Sequence, residues 1–114
     1  MYIGIDLGTS SIKILLVDQC DNVIEFASRS ITTERPSTGY SEQNPNDWFQ
    51  ALVDCFDELS VKSEKAMCRV EGIGLSGHMH SALLMDAVDK PIGNALLHND
   101  FRAVQEAREL NEKF

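Results

Sequence analysis

The sequence has 114 residues, 43% hydrophobic and 25% charged, which is the composition of one ordinary globular domain or of part of a larger one. Its net charge of −8 argues against both a nucleic-acid partner and an anionic membrane, since each selects a basic face. Three cysteines without a C-x-x-C spacing (Cys20, Cys55 and Cys68), no basic leader and no apolar run near the roughly 20 residues of a membrane helix predict a cytoplasmic chain with reduced thiols.

Residues 2–6 and 12–17 are short runs of Ile, Leu and Val separated by Gly8-Thr9-Ser10-Ser11, which predicts two buried strands paired as a hairpin. A second turn at 18–22 leads into a third strand over 23–32, so the opening reads as an antiparallel meander. Residues 35–39 have loop chemistry. Asn44-Pro45 then places a capping residue before a proline at the first helical position. Behind it Trp48, Ala51, Leu52, Cys55, Phe56 and Leu59 form one apolar stripe at helical spacing, the face that packs on a sheet.

Residues 70–76 predict a fourth strand ending at Gly77. Residues 82–85 predict a further short strand, closed by a turn at 86–91, with 92–97 returning to pair with it. From Asn99 or Asp100, both good N-caps, the recurrence of Phe101, Val104, Ala107 and Leu110 predicts a second helix to residue 114. Strands grouped on either side of a helix give an α/β layered arrangement.

Three segments carry chemistry. In Gly4-Ile5-Asp6-Leu7-Gly8-Thr9-Ser10-Ser11-Ile12-Lys13 an acid at a strand end precedes a tight glycine turn. The carboxylate suits Mg²⁺, directly or through water, and the turn can offer backbone N–H groups and hydroxyls to a phosphate, with Lys13 adding charge. Read from spacing alone, the segment serves equally well as a β-hairpin whose Asp6 caps turn amides. In Ser76-Gly77-His78-Met79-His80-Ser81 two imidazoles at i,i+2 share one side of an extended strand, but no third ligand at metal spacing accompanies them. In Leu97-His98-Asn99-Asp100-Phe101-Arg102 helix capping is an adequate account.

The first segment, Ile3-Gly4-Ile5-Asp6-Leu7-Gly8-Thr9-Ser10, resembles the first phosphate-binding segment of the actin, Hsp70 and sugar-kinase superfamily, and most closely the FGGY carbohydrate kinases. Gly77-His78-Met79-His80 is similar to the Gly-Gln-Met-His segment of the xylulokinases in that family. His98-Asn99-Asp100-Phe101-Arg102 is similar to their Trp-Asn-Asp-x-Arg stretch, and Tyr40-Ser41-Glu42-Gln43-Asn44-Pro45 with Trp48 to their Ser-Glu-Gln-x-Pro…Trp pattern. The resemblance runs in order along nearly all of the chain. It departs from the pattern at His78 (for Gln), Ser81 (for Gly) and His98 (for Trp).

The resemblance implies the N-terminal portion of an actin-like, ribonuclease-H-like ATPase domain spanning residues 1–114, with the second, nucleotide-binding domain absent. It implies ATP and Mg²⁺ as the family's cofactors, neither bound tightly by this chain alone. Asp6 places the metal, through water, and the phosphates; Gly8, Thr9, Ser10 and Lys13 cradle the transferring phosphoryl group. Met79 packs on a pentulose, His80 hydrogen-bonds a hydroxyl, and Asp100 and Arg102 support that site. The family's general base is an Asp beyond residue 114, so a chain inactive by itself is expected, with a non-catalytic or sugar-binding remnant as the rival and gluconate as an alternative substrate. An apolar face left uncovered predicts self-association.

Overall fold

The opening runs form β1 (Tyr2–Leu7), β2 (Ser11–Val17) and β3 (Val23–Ser30), a meander of antiparallel neighbours as their alternation predicts. The computed structural model describes all 114 residues. They fall into two compact units, residues 1–32 with 45–78, and residues 33–44 with 79–114.

In the first unit a fourth strand, β5 (Gly72–Ser76), lies parallel to β1, giving the sheet order β3-β2-β1-β5. The turn before β3 is built by Asp18, whose carboxylate accepts the N–H groups of Cys20 and Asn22. Because strand side chains alternate, Ile3 and Ile5, Ile12, Ile14 and Leu16, and Ala27 share one face. That face is buried against Ala51, Cys55 and Leu59 of α1 (Pro45–Lys62). The helix begins at the proline and buries the stripe its spacing predicts. A short helix, α2 (Glu64–Met67), follows that the sequence pattern did not reveal. The third strand ends at Ser30 rather than 32, where the Ile31 N–H turns away to the Ser10 carbonyl.

The second unit departs further from expectation. The segments 82–85 and 92–97 do not form a hairpin of strands. They do meet antiparallel, through isolated bridges of Ala82 with Leu96 and Met85 with Pro91 and a hydrogen bond from the Ile92 N–H to the Leu84 carbonyl, while the one continuous ladder here joins β6 (Ala95–Leu96) to β4 (Glu42–Gln43). Local hydrogen bonds hold residues 86–90 in a tight turn, with the Asp86 carboxylate accepting from the Val88 and Lys90 N–H groups. Buried Ala95, Leu97, Ser41 and Gln43 form its interior, with Gln43 donating to the Thr33 hydroxyl.

The last helix, α3 (Val104–Lys113), starts later than expected, after Ala103, and no side chain caps it. Neither Asn99 nor Asp100 is its N-cap. The Asp100 carboxylate is taken up by the Ser41 N–H and by Arg102, so it has no capacity left for helix amides. None of the α3 side chains is buried, and Leu110 and Phe101 are more than half exposed.

Candidate functional site

Asp6 is the penultimate residue of β1 and points to the face opposite α1. Its ladder partner on β2 is Lys13, its partner on β5 is Ser76, and Lys13 in turn faces Ser28 on β3. Direct cross-strand neighbours hold their Cβ atoms about 4.5–5.5 Å apart. The register therefore lines up a hydroxyl, an ammonium, a carboxylate and a second hydroxyl in one row across four strands. Since β1 and β5 are parallel, Asp6 and Ser76 lie together at their carboxyl ends, where open α/β sheets receive ligands.

Lys13, Asp6 and Ser76 of this row border a cavity of about 460 Å³ on the open face, lined also by Gly4, Gly74, Leu15 and Phe26. A Cβ added at Gly4 or Gly74 would meet no atom within 4 Å, so the glycines keep the floor low without being demanded by packing. Gly8 is different. Its N–H donates to the Ser11 carbonyl at 3.0 Å, and a Cβ there would stand 3.1 Å from that oxygen. The hairpin between β1 and β2 is tight because residue 8 has no side chain, and the turn leaves Thr9 and Ser10 at the surface.

The chemistry of this constellation is that of an anion and its counter-ion. No cluster of three His, Cys, Asp or Glu side chains able to hold a metal occurs in the chain. One exposed carboxylate beside a turn fits a magnesium ion that keeps its waters and takes other ligands from phosphate, rather than a cage made of protein.

His78 closes the first unit. Its ring meets Trp48 of α1 edge-on, with centroids 5.4 Å apart and planes at 87°, and both ring nitrogens are buried without a hydrogen-bond partner. Met79 and His80 belong to the second unit. Met79 is 78% exposed, and His80 has a left-handed backbone (φ 58°). The chain turns at His80 rather than running extended, so the two imidazoles do not share the side of a strand.

Asp100 and Arg102 are brought together in the second unit. Arg102 donates twice to Asp100, at 2.8 and 2.7 Å, and once to Glu42 at 2.7 Å. Its guanidinium lies 3.9 Å from the centre of the Tyr40 ring. Asp100 also accepts the buried Ser41 N–H at 2.7 Å. Hydrogen bonding from Arg102 outweighs burial and holds the Asp100 carboxyl far below the usual carboxylate range. The same contact, aided by Glu42, raises Arg102. The group is a latch between segments 40–42 and 100–102, which assigns a purpose to the Tyr40-Ser41-Glu42 motif. Sequence reasoning passed over that partnership, and also over Ser28 and Ser76, whose placement depends on strand register. The only signal for Ser76 was its position at the end of a predicted strand.

Residues 1–114 match the FGGY family of carbohydrate kinases, N-terminal domain. A xylulose kinase of Staphylococcus epidermidis is 42% identical over 112 residues, 98% of this chain and 23% of that protein. The crystal structure of a xyloylose kinase from Brucella ovis superposes with a TM-score of 0.94 at 40% identity, covering 98% of this chain and 24% of the other. A gluconate kinase from Lactobacillus acidophilus superposes at 0.89 with 22% identity and 98% and 22% coverage, a likeness of fold alone. The chain thus spans about a quarter of the length of these relatives.

Proposed function

The chain belongs to the FGGY family of carbohydrate kinases, as an N-terminal domain portion with the actin-like fold, and from that premise we propose that it supplies the phosphate-positioning and sugar-contacting half of a xylulose phosphorylation. The reaction is transfer of the ATP γ-phosphoryl group to a hydroxyl of D-xylulose. It calls for positioning, neutralisation of charge and a base for the hydroxyl proton. The observation that carries the reading is that Lys13, Asp6 and Ser76, neighbours in one row across three strands, line an open cavity.

Magnesium, when bound with the nucleotide, supplies charge neutralisation at the phosphates. Asp6 orients it through water. Gly8, Thr9 and Ser10 present backbone N–H groups and hydroxyls to the phosphoryl oxygens, and Lys13 adds a fixed positive charge. Met79 offers an exposed apolar surface for the carbon skeleton of a sugar, and His80 a hydrogen-bonding ring. Asp100 and Arg102 hold segments 40–42 and 100–102 together rather than meeting a ligand with free charge.

The proton-accepting base and the adenosine pocket are assigned to the remaining three quarters of the longer relatives. General-base catalysis alone is worth about 10²–10⁴-fold, so the 114-residue chain on its own is proposed to lack useful turnover. The test is ADP release with Mg-ATP and D-xylulose against a no-sugar control, with gluconate as a competitor. The expected result is no sugar-dependent ADP from folded protein, together with D-xylulose binding seen by calorimetry. Sugar-dependent ADP would overturn the proposed inactivity. Gluconate displacing D-xylulose would overturn the choice of sugar.

A further inference from the structure

Of residues 77–80, which lead away from β5, only His78 is not exposed. Gly77 has no side chain with which to hold the chain, and Met79 is 78% exposed. Ser76, two positions before His78, is the last residue of β5 paired with β1. His80, two positions after it, takes a left-handed conformation (φ 58°) that residues other than glycine seldom adopt. Such conformations persist where the surroundings over-determine them, as at ligand clamps. The hold on this segment falls to the His78 ring, set edge-on against Trp48 with 5.4 Å between centroids. Trp48 in turn packs on the buried cluster of the first unit, so the contact ties the segment to that core.

The ring acts by contact rather than by hydrogen bonding. Buried polar atoms are ordinarily paired, and leaving one unpaired opposes folding. Both His78 nitrogens are buried and unpaired. Having no surface, they are beyond the reach of any further length of chain. What the position uses is a flat ring, whose edge-on packing is directional because aromatic edges and faces carry opposite partial charge.

We propose that His78 is a positioning residue for sugar binding: its ring, clamped on Trp48, fixes the backbone from which Met79 and His80 reach a polyhydroxylated ligand, and couples that ligand to Trp48. The proposal rests on the reading of Met79 and His80 as the sugar-contacting pair. Trp48 is the only tryptophan, so its emission reports on the contact directly.

The test compares the 114-residue chain with His78→Phe, which keeps a ring without the nitrogens, and His78→Ala, which removes the ring, each checked for fold by circular dichroism. Three quantities are read: the ¹⁵N order parameters of the Met79 and His80 amides, D-xylulose affinity by calorimetry, and Trp48 emission as the sugar is added. In wild type and His78→Phe the two amides are expected near about 0.85, falling below about 0.6 in His78→Ala. D-Xylulose should shift Trp48 emission in the first two proteins and not in the third. Affinity should drop roughly two- to tenfold in His78→Ala, the range that one edge-on aromatic pair supplies. A residue of merely structural importance would leave the emission response in place. Amides equally ordered in wild type and His78→Ala overturn the proposal, as does D-xylulose binding that leaves Trp48 emission unchanged. A His78→Phe chain that behaves like His78→Ala also overturns it, since the nitrogens and not the ring would then be the active part. A wild type that binds no D-xylulose fails the sugar reading instead, and the order of the two amides then decides the positioning by itself.

Discussion

Asp6 and Lys13 are direct ladder partners across β1 and β2, opposite charges on the sheet face that α1 does not cover. Neither contributes to the core. Alanine at either position is expected to change unfolding free energy by no more than about 0.5 kcal/mol, as for surface sites generally. The loss should appear instead in ligand response. Titration of Mg-ATP should shift the Gly8, Thr9 and Ser10 amide resonances in wild type, with an affinity on the order of millimolar. Lys13→Ala should weaken that response several-fold. Equal shifts in both proteins would remove Lys13 from the phosphate site.

Asp100→Ala should act on stability. It removes the acceptor of the buried Ser41 N–H, a loss worth about 1–3 kcal/mol, and leaves Glu42 as the one carboxylate paired with Arg102. The sign with pH follows from the depressed carboxyl. The latch contributes fully above the unfolded Asp value of about 3.9 and is lost as pH falls below it toward the lower folded value. Urea midpoints measured from pH 7 down to pH 3 should therefore fall less steeply in Asp100→Ala than in wild type. Parallel curves would mean that the latch carries no stability.

The first unit was legible because its signals are local and periodic. The Gly8 turn, the alternation of Ile12, Ile14 and Leu16, and the stripe from Trp48 to Leu59 each state their own geometry. The second unit was not, because its structure depends on partners far away in sequence. Asp100 looks like a helix cap until Ser41 and Arg102 are known to occupy it. Residues 82–85 look like a strand, yet Leu96, which bridges to Ala82, belongs to a two-residue strand paired with Glu42 and Gln43. In the candidate site, Asp6 and the turn were readable from the sequence. The row through Ser28 and Ser76 was not, since one residue of register slip would have turned every one of those side chains to the other face.

The three cysteines should separate by reactivity. Cys20 and Cys68 are exposed, whereas Cys55 is fully buried beneath the sheet, and burial pushes its thiol up despite the opposing charge of Arg29. The thiolate is the reacting form, so Cys55 is doubly protected. Brief treatment of native protein with N-ethylmaleimide near pH 7.5 (about one unit below a free thiol's value) should add two labels by mass spectrometry. A third should appear only in urea. Rapid triple labelling of native protein would show that α1 does not stay closed on the sheet.

The same contrast between covered and uncovered elements sets the expected cost of truncating leucines. Leu59 on α1 has no exposed surface and packs into the cluster with Ile14, Leu16 and Cys55, so Leu59→Ala leaves a cavity. Such changes cost about 2–5 kcal/mol, a large share of the roughly 5–15 kcal/mol that holds a typical domain folded. Leu110 on α3 is 57% exposed, and Leu110→Ala should fall within about 0.5 kcal/mol of wild type. Urea unfolding of both variants decides the point. A large loss for Leu59→Ala with none for Leu110→Ala means that the stability resides in α1 and the sheet. A comparable loss at Leu110 would mean that α3 is covered in solution, and that the apolar positions recurring from Phe101 to Leu110 have a partner after all.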